Sequence, residues 1–265
     1  MDKKFKQEIL EVMDIFVNAN KDVDTFYHYT TIDALVNGII KERPRKGKEV
    51  CLRATHGKFM NDPEELIKGA RLCAYIMEQN DPSKSSEEHL DKIMHMYDKY
   101  FLVSFSEDKD SLPLWNTYAN KSTGVAIGFE RLKSLSLTDL VVKCIYGVNT
   151  FTETLDMYMN SNRLKIGGYF SIYTFPQRLK NEAFSYENEI RLIGDFRKAP
   201  VKFREKNGYI IPYKEIFFAK EQIKSITLGP CQNMDNAVYS LRQFLDSRGF
   251  EHVEIKKSSI PFRNI

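Results

Sequence analysis

The sequence predicts a mixed α+β fold, and three observations point there. Several runs of β-branched, aliphatic and aromatic residues have the length of strands, the clearest being Tyr100-Phe101-Leu102-Val103-Ser104-Phe105-Ser106. Other segments space their apolar residues as a helix does: Phe5, Ile9, Leu10, Met13, Phe16 and Val17 form one such stripe over residues 3–19. The two kinds of segment mix without a regular β-α alternation, which argues against a doubly wound parallel sheet. With 265 residues, 42% hydrophobic and 28% charged, the chain suits one large globular domain that carries an inserted subdomain.

Taken in order, residues 1–20 begin with the amphipathic helix. Phe26-Tyr27-His28-Tyr29 reads as a short strand ended by Thr30 and Thr31. Thr30, with Asp33 three residues on, is a variant capping box for a helix that buries Ile32, Leu35, Val36 and Ile39 and weakens at Gly38. A strand is expected over residues 50–54. Asn61-Asp62-Pro63-Glu64-Glu65 then starts a helix, with Asp62 as cap, Pro63 at the first helical position and acids in the first turn. The polar break at residues 80–86 separates it from a second helix over 86–98, and residues 62–98 together read as a helical insertion. After the strand at 100–106 come a short helix around Leu114-Trp115-Asn116-Thr117-Tyr118, a strand over 124–129 and another over 140–146. Residues 150–180 are expected as helix broken at Gly167-Gly168. The remaining strands fall at 187–194, 209–213, 223–228 and 252–256, with a helix at 233–247.

The bulk chemistry narrows the function. A net charge of +3 permits a nucleic-acid partner without demanding one, and the basic run Arg43-Pro44-Arg45-Lys46-Gly47-Lys48 reads first as a solvated loop. Cys51, Cys73, Cys144 and Cys231 lie far apart, with no Cys-x-x-Cys spacing, which suits a reducing compartment rather than a disulfide framework. The five histidines show no metal-ligand spacing, so no metal is expected. No segment has the length or apolarity of a signal core or membrane span, and the expected location is cytoplasmic.

Three polar groups sit inside strand-like runs. They are His28 between tyrosines, the hydroxyls of Ser104 and Ser106, and the carboxylates of Glu187 and Glu189 in Tyr186-Glu187-Asn188-Glu189-Ile190-Arg191. In a strand of period two, Glu187 and Glu189 would share one face, where like charges repel and shift each other's pKa. Each group also has an ordinary reading: a hydrogen-bonded core histidine, serines bonded to neighbours, a solvated strand end. Trp115 is either a core anchor or a stacking platform. The Asn61–Glu64 turn caps a helix, and its carboxylates are also placed to line a cleft.

The order of these groups resembles the three-part signature of the ADP-ribosyltransferase fold: a histidine on an early strand, a Ser-x-Ser strand and a late Glu-x-Glu. More closely, the chain resembles the bacterial domain-of-unknown-function family 2971. The likeness rests on Tyr27-His28-Tyr29-Thr30, Met60-Asn61-Asp62-Pro63-Glu64, Ser104-Phe105-Ser106-Glu107, Leu114 to Ala119 with Gly124 to Phe129, Tyr186 to Arg191, and Ser259-Ile260-Pro261-Phe262-Arg263. The resemblance implies one domain over residues 1–265 with a split sheet clasping NAD as substrate. It also implies roles: His28 on the ADP-side ribose, Tyr118 or Tyr29 against nicotinamide, and Thr30, Ser104 and Ser106 as further cofactor contacts. Glu189 would bond the nicotinamide ribose, and Glu187 would orient or deprotonate an acceptor. The implied activity is ADP-ribosyl transfer to nucleic acid or protein, by a bacterial toxin or anti-phage effector with an antitoxin as partner. An NAD glycohydrolase and a non-catalytic binding module of the same fold are the alternatives. One departure is that the Glu-x-Glu pattern usually accompanies an arginine on the first strand, where this chain has His28, so the acceptor stays open.

Overall fold

The aliphatic and aromatic runs form their strands in the computed structural model, which describes residues 24–60, 63–130, 139–159, 175–230 and 233–261. The elements begin with β1 (Thr25–Thr30), α1 (Ile32–Ala34, continuing as a π turn over Leu35–Ile39), β2 (Val50–His56), α2 (Pro63–Asn80), α3 (Ser86–Tyr97) and β3 (Phe101–Ser106). Next are α4 (Leu112–Tyr118), β4 (Val125–Glu130), β5 (Asp139–Lys143), β6 (Ile145–Tyr146), α5 (Val148–Met159), β7 (Leu179–Lys180) and β8 (Glu189–Gly194). The chain closes with β9 (Lys202–Lys206), β10 (Tyr209–Phe218), β11 (Ile223–Leu228), α6 (Met234–Ser247) and β12 (Glu254–Lys257). The large sheet is antiparallel except where β11 meets β12, so the α+β expectation holds.

β3 is the trunk of that sheet. Along one edge β8 pairs with its whole length, from Phe101↔Gly194 to Ser106↔Glu189, and β5 adds outside β8. Two strands share the other edge: Tyr27 of β1 pairs with Ser106, while Thr55 and His56 of β2 pair with Leu102 and Phe101. The sheet therefore forks beside Val103–Phe105. One branch runs on from β1 through β4 to β11 and β12, the other from β2 through β10 to β9.

Period-two alternation divides the trunk's side chains between two layers. Phe101, Val103, Phe105, Ile190 and Leu192 point into the main core, which Leu241 and Leu245 of α6 help to close. On the opposite face Leu102, Leu140 and Ile193 pack under Cys73, Ile76 and Ile93 of α2 and α3 and Phe151 of α5. Farther along that face, Trp115 and Leu114 of α4 cover Tyr27, Tyr29 and Ala126. Between the two helical covers lie Ser104, Ser106, Glu189 and Arg191. The fold thus gathers its polar strand residues in a trough where Ser106, Glu189 and Arg191 are nonetheless buried.

Several expectations are corrected. Thr31, not Thr30, caps the helix after β1, its Oγ1 accepting from Ala34 N at 3.0 Å; Thr30 is the last residue of the strand. The run at 140–146 breaks into β5 and β6, which belong to different sheets. Residues 175–180 are a 3₁₀ turn (Phe175–Arg178) and β7 rather than helix. Glu187 is not in the strand that begins at Glu189; it ends a 3₁₀ turn, Glu182–Glu187. β9 went unforeseen, because Lys202-Phe203-Arg204-Glu205-Lys206 has too few apolar residues to signal a strand. The N-terminal helix, the Asp62 cap, Gly167-Gly168 and Arg263 lie outside the described residues.

Candidate active site

The trough is built by strand register. Tyr27, Ser106 and Glu189 are direct cross-strand partners on three adjacent strands, so they form one transverse row. Arg191 and Ser104 form the next row. Between β8 and the preceding turn, Asn188 adopts a left-handed conformation (φ 40°, ψ 50°), a geometry that asparagine tolerates better than most residues. Its side chain donates to Asp108 Oδ2 at 2.8 Å, and Glu107 N donates to its carbonyl at 3.1 Å. The bend redirects Glu187, so its carboxylate meets that of Glu189 at one shared cation although the two residues do not alternate along a strand.

That cation is Lys180. Its Nζ donates to Glu189 Oε2 at 2.7 Å and to Glu187 Oε2, and all three side chains are buried. Arg191 Nη2 donates to the same Glu189 oxygen at 2.9 Å, and Cys144 Sγ lies 3.4 Å from it. Three donors therefore converge on Oε2. Glu189 Oε1 has no hydrogen bond among the described residues, and the residue lines the cleft. Glu187 differs in using both oxygens, because Tyr118 Oη donates to its Oε1 at 2.8 Å.

Burial by itself would raise the Glu189 pKa, but the charges and hydrogen bonds of Arg191 and Lys180 outweigh it and hold the carboxyl far below the usual range. Burial likewise opposes the Lys180 charge, yet the nearby glutamates keep the ammonium above its ordinary value. Cys144 is pushed well upward by burial, so it stays a thiol and acts as a donor.

His28 fills the fork. Its Nδ1 lies 3.0 Å from the Ser104 carbonyl, and since a carbonyl only accepts, Nδ1 carries the proton. Burial lowers the ring's pKa, so His28 is a neutral imidazole with Nε2 as the acceptor. Two adjoining chambers are both lined by this residue. One, of about 170 Å³, holds Glu187, Glu189, Lys180, Tyr118 and Ser106. The other, of about 380 Å³, lies between β1 and β2 and reaches Thr30, Asn37 and Arg53.

The structure thus gathers His28, Tyr29, Thr30, Ser104, Ser106, Tyr118, Glu187 and Glu189 around one cleft. Two of their polar groups serve the scaffold. Ser106 Oγ donates to the Glu187 carbonyl at 2.7 Å and accepts from Asp108 N at 3.0 Å. Tyr29 Oη donates to the Asp108 carbonyl at 2.8 Å and accepts from Ser111 N at 3.1 Å, while its ring meets Trp115 edge-on. Trp115 is fully buried and is a core anchor, with Nε1 donating to Asp110 at 2.7 Å.

Lys180, Arg191 and Cys144 were missed as site residues. Arg191 could have been found, since it follows Glu189 by two and must share its face. The described residues contain no group of His, Cys, Asp and Glu arranged to hold a metal ion and no helix long and apolar enough to cross a membrane. No curated protein and no solved structure matches this chain. Residues 114–192, the stretch that runs from α4 to β8 and contains Tyr118, Cys144, Lys180, Glu187, Glu189 and Arg191, match the model of a family described as a protein of unknown function (DUF2971).

Proposed function

We propose that the protein is an ADP-ribosyltransferase that uses NAD and transfers to a macromolecular acceptor. The observation that carries this reading is the asymmetry of Glu189, a cleft-lining residue whose Oε2 is fixed by three donors while Oε1 has no hydrogen bond among the described residues. A carboxylate held ionised and rigid in this way suits a sugar 2′-hydroxyl and the positive charge that develops at C1′ as a glycosidic bond breaks. Nicotinamide leaves as a neutral molecule, so the site needs little acid on the leaving side. Tyr118 stands beside Glu187 and offers a ring to the nicotinamide, and neutral His28 offers Nε2 to a ribose hydroxyl. Glu187 serves the acceptor side, where it orients the nucleophile. The two chambers together fall within the range of small-molecule sites. A cytoplasmic toxin or anti-phage effector restrained by an antitoxin is the setting that such an activity suits.

One observation favours a second reading. Glu187 uses both carboxylate oxygens, and Glu189 is ion-paired with both Lys180 and Arg191, as befits a buried ion network in a non-catalytic nucleotide-binding module. Incubation with NAD and assay of free nicotinamide, with and without DNA, RNA or cell lysate, separates the readings. Release that depends on a macromolecule supports transfer. Equal release without one makes the protein an NAD glycohydrolase, and NAD binding without release makes it a binding module.

A further inference from the structure

The β2–β10–β9 branch carries a row of rings and cations that runs outward from the cleft, whose chambers Arg53, Arg204 and Lys206 help to line. Register places Tyr209, Ile211, Tyr213, Glu215 and Phe217 of β10 on one face, with Lys202, Arg204 and Lys206 of β9 and Arg53 and Thr55 of β2 beside them. This is the same sheet face as the trough, since Thr55 is the partner of Leu102. Along β10, every fourth residue is an aromatic ring with a cation next to it. Lys48 sits over Phe217 at 5.3 Å, Arg53 and Arg204 lie over Tyr213 at 5.2 and 5.7 Å, and Lys206 is the cross-strand partner of Tyr209. The rings at 209 and 217 are 67% and 38% exposed. Eight residues of strand separate them, about 27 Å.

Most of the cations on this face have no ion pair among the described residues. Lys202 pairs with Glu215 at 2.8 Å, but Lys48, Arg53, Arg204 and Lys206 have no ion pair among the described residues. Arg204 Nη2 is held by Thr55 Oγ1 at 3.0 Å while its Nε is buried without a partner. Burial and the neighbouring Arg53 both work against its charge. Two guanidiniums are held over one ring, and the one acid of β10 on this face, Glu215, is the cross-strand partner of Arg53 and is bonded to Lys202, so cations stay in excess.

We infer that this face binds single-stranded nucleic acid, its phosphates on Lys48, Arg53, Arg204 and Lys206 and its unpaired bases on Phe217 and Tyr209, and that the strand leads into the cleft as acceptor. Alternating cations and exposed rings on an open sheet are what a flexible polyanion with stackable bases requires, whereas an acidic peptide would leave the rings unused. Assignment as acceptor rests on the transferase reading; strand binding itself does not.

The test is fluorescence anisotropy of the full chain with labelled 12-nucleotide DNA and RNA from 50 to 200 mM salt, with the matching duplex and polyglutamate as competitors. The expected result is single-strand binding that weakens steeply with salt, with the log–log slope reduced by about 0.7 for each of K48A and R204A and kept in R204K. Y209A should weaken binding roughly tenfold at unchanged melting temperature. R204K separates loss of charge from loss of the fork and guards against a folding defect in R204A. Equal competition by duplex or polyglutamate, or wild-type affinity in both K48A and Y209A, would overturn the inference. Strand binding with no nicotinamide release would uphold this site and sink the transferase. Acceptor-dependent release with no binding here would do the reverse.

Discussion

At the scale of single residues, the cleft turns on one oxygen atom. Glu189 Oε2 neutralises two buried cations, so Glu189→Gln does more than remove a reactive charge: it leaves Lys180 and Arg191 short of a counter-ion. Breaking a buried pair from one side costs about 3–5 kcal/mol, and glutamine keeps the shape, so a loss near 3 kcal/mol is expected in urea unfolding. Nicotinamide release, measured where both proteins are fully folded, should drop at least a hundredfold; a variant as stable and active as the parent would refute both roles. The linkage to pH has a definite sign. Glu189 has a folded pKa below its ordinary value near 4.5, so its contribution is complete above that value and fades as pH falls below it. Lys180 is raised from 10.5, so its contribution is complete below 10.5 and is lost as pH climbs through the folded value. His28 is lowered from 6.5, and the unfolded chain therefore takes up a proton that the folded ring refuses once pH drops under 6.5. Urea midpoints should be flat from about pH 7 to 8 and fall on either side, the buried thiols of Cys51, Cys73 and Cys144, raised from 9.0, adding to the alkaline decline because the unfolded chain releases their protons first. His28→Phe should delay the acid decline, and an identical acid limb in that variant would show that the histidine carries none of it. Glu187, Glu189 and His28 were legible because polar groups inside apolar strand runs stand out. Lys180 was not, because its neighbours suggested a helix rather than a two-residue strand aimed at the glutamates.

At the scale of elements, the site depends on a bend. The left-handed Asn188 lets a 3₁₀ turn and a strand bring two carboxylates to one ammonium, and its amide ties the bend to the turn after β3. Asn188→Ala loses that hydrogen bond and places a less tolerant residue at φ 40°, for an expected cost of about 2 kcal/mol. Asn188→Gly removes the strain but not the lost bond and should fall between; if alanine proves no worse than the parent in thermal unfolding, the bend is held by something else. A period-two reading of the sequence put both glutamates on one face for the wrong reason. Period marks a strand but not where it starts, and the start here is set by a single backbone dihedral. The strands rich in Val, Ile and Phe were plain for the opposite reason: burial on both sides forces such composition. β9 lies at the sheet edge with four of its five residues exposed, so little in its composition had to be apolar.

At the scale of the whole molecule, the fork in the sheet and the two helical covers make the cleft together. The fork gives depth, since β1 and β2 part beside Ser104 and leave its carbonyl to His28. The covers set the borders, α4 on one side and the α2–α3 pair on the other. From sequence, residues 62–98 read as an insertion, and an insertion should be removable. Yet Ala70, Cys73, Ile76 and Met77 of α2 and Ile93 and Tyr97 of α3 share one buried cluster with Leu102 of β3, Leu140 of β5 and Ile193 of β8. Gly69 approaches the turn at Pro176 so closely that a Cβ there would lie 2.6 Å from the Pro176 carbonyl oxygen. That turn leads directly into Lys180, so the helix pair also fixes the cation between the two glutamates. Gly69→Ala should therefore disturb the site from the far side of the helix, with lower melting temperature and weaker NAD binding together. Replacing residues 64–97 by a short flexible linker uncovers the face of β3, β5 and β8 to water. Burying one large apolar side chain is worth about 1.5–3 kcal/mol, and several lose their cover at once, against a total stability of about 5–15 kcal/mol. The shortened chain should fail to give a cooperative melting transition. A soluble deletion that melts cooperatively and still binds NAD would show that the helix pair is an accessory and that the trough stands on the sheet alone.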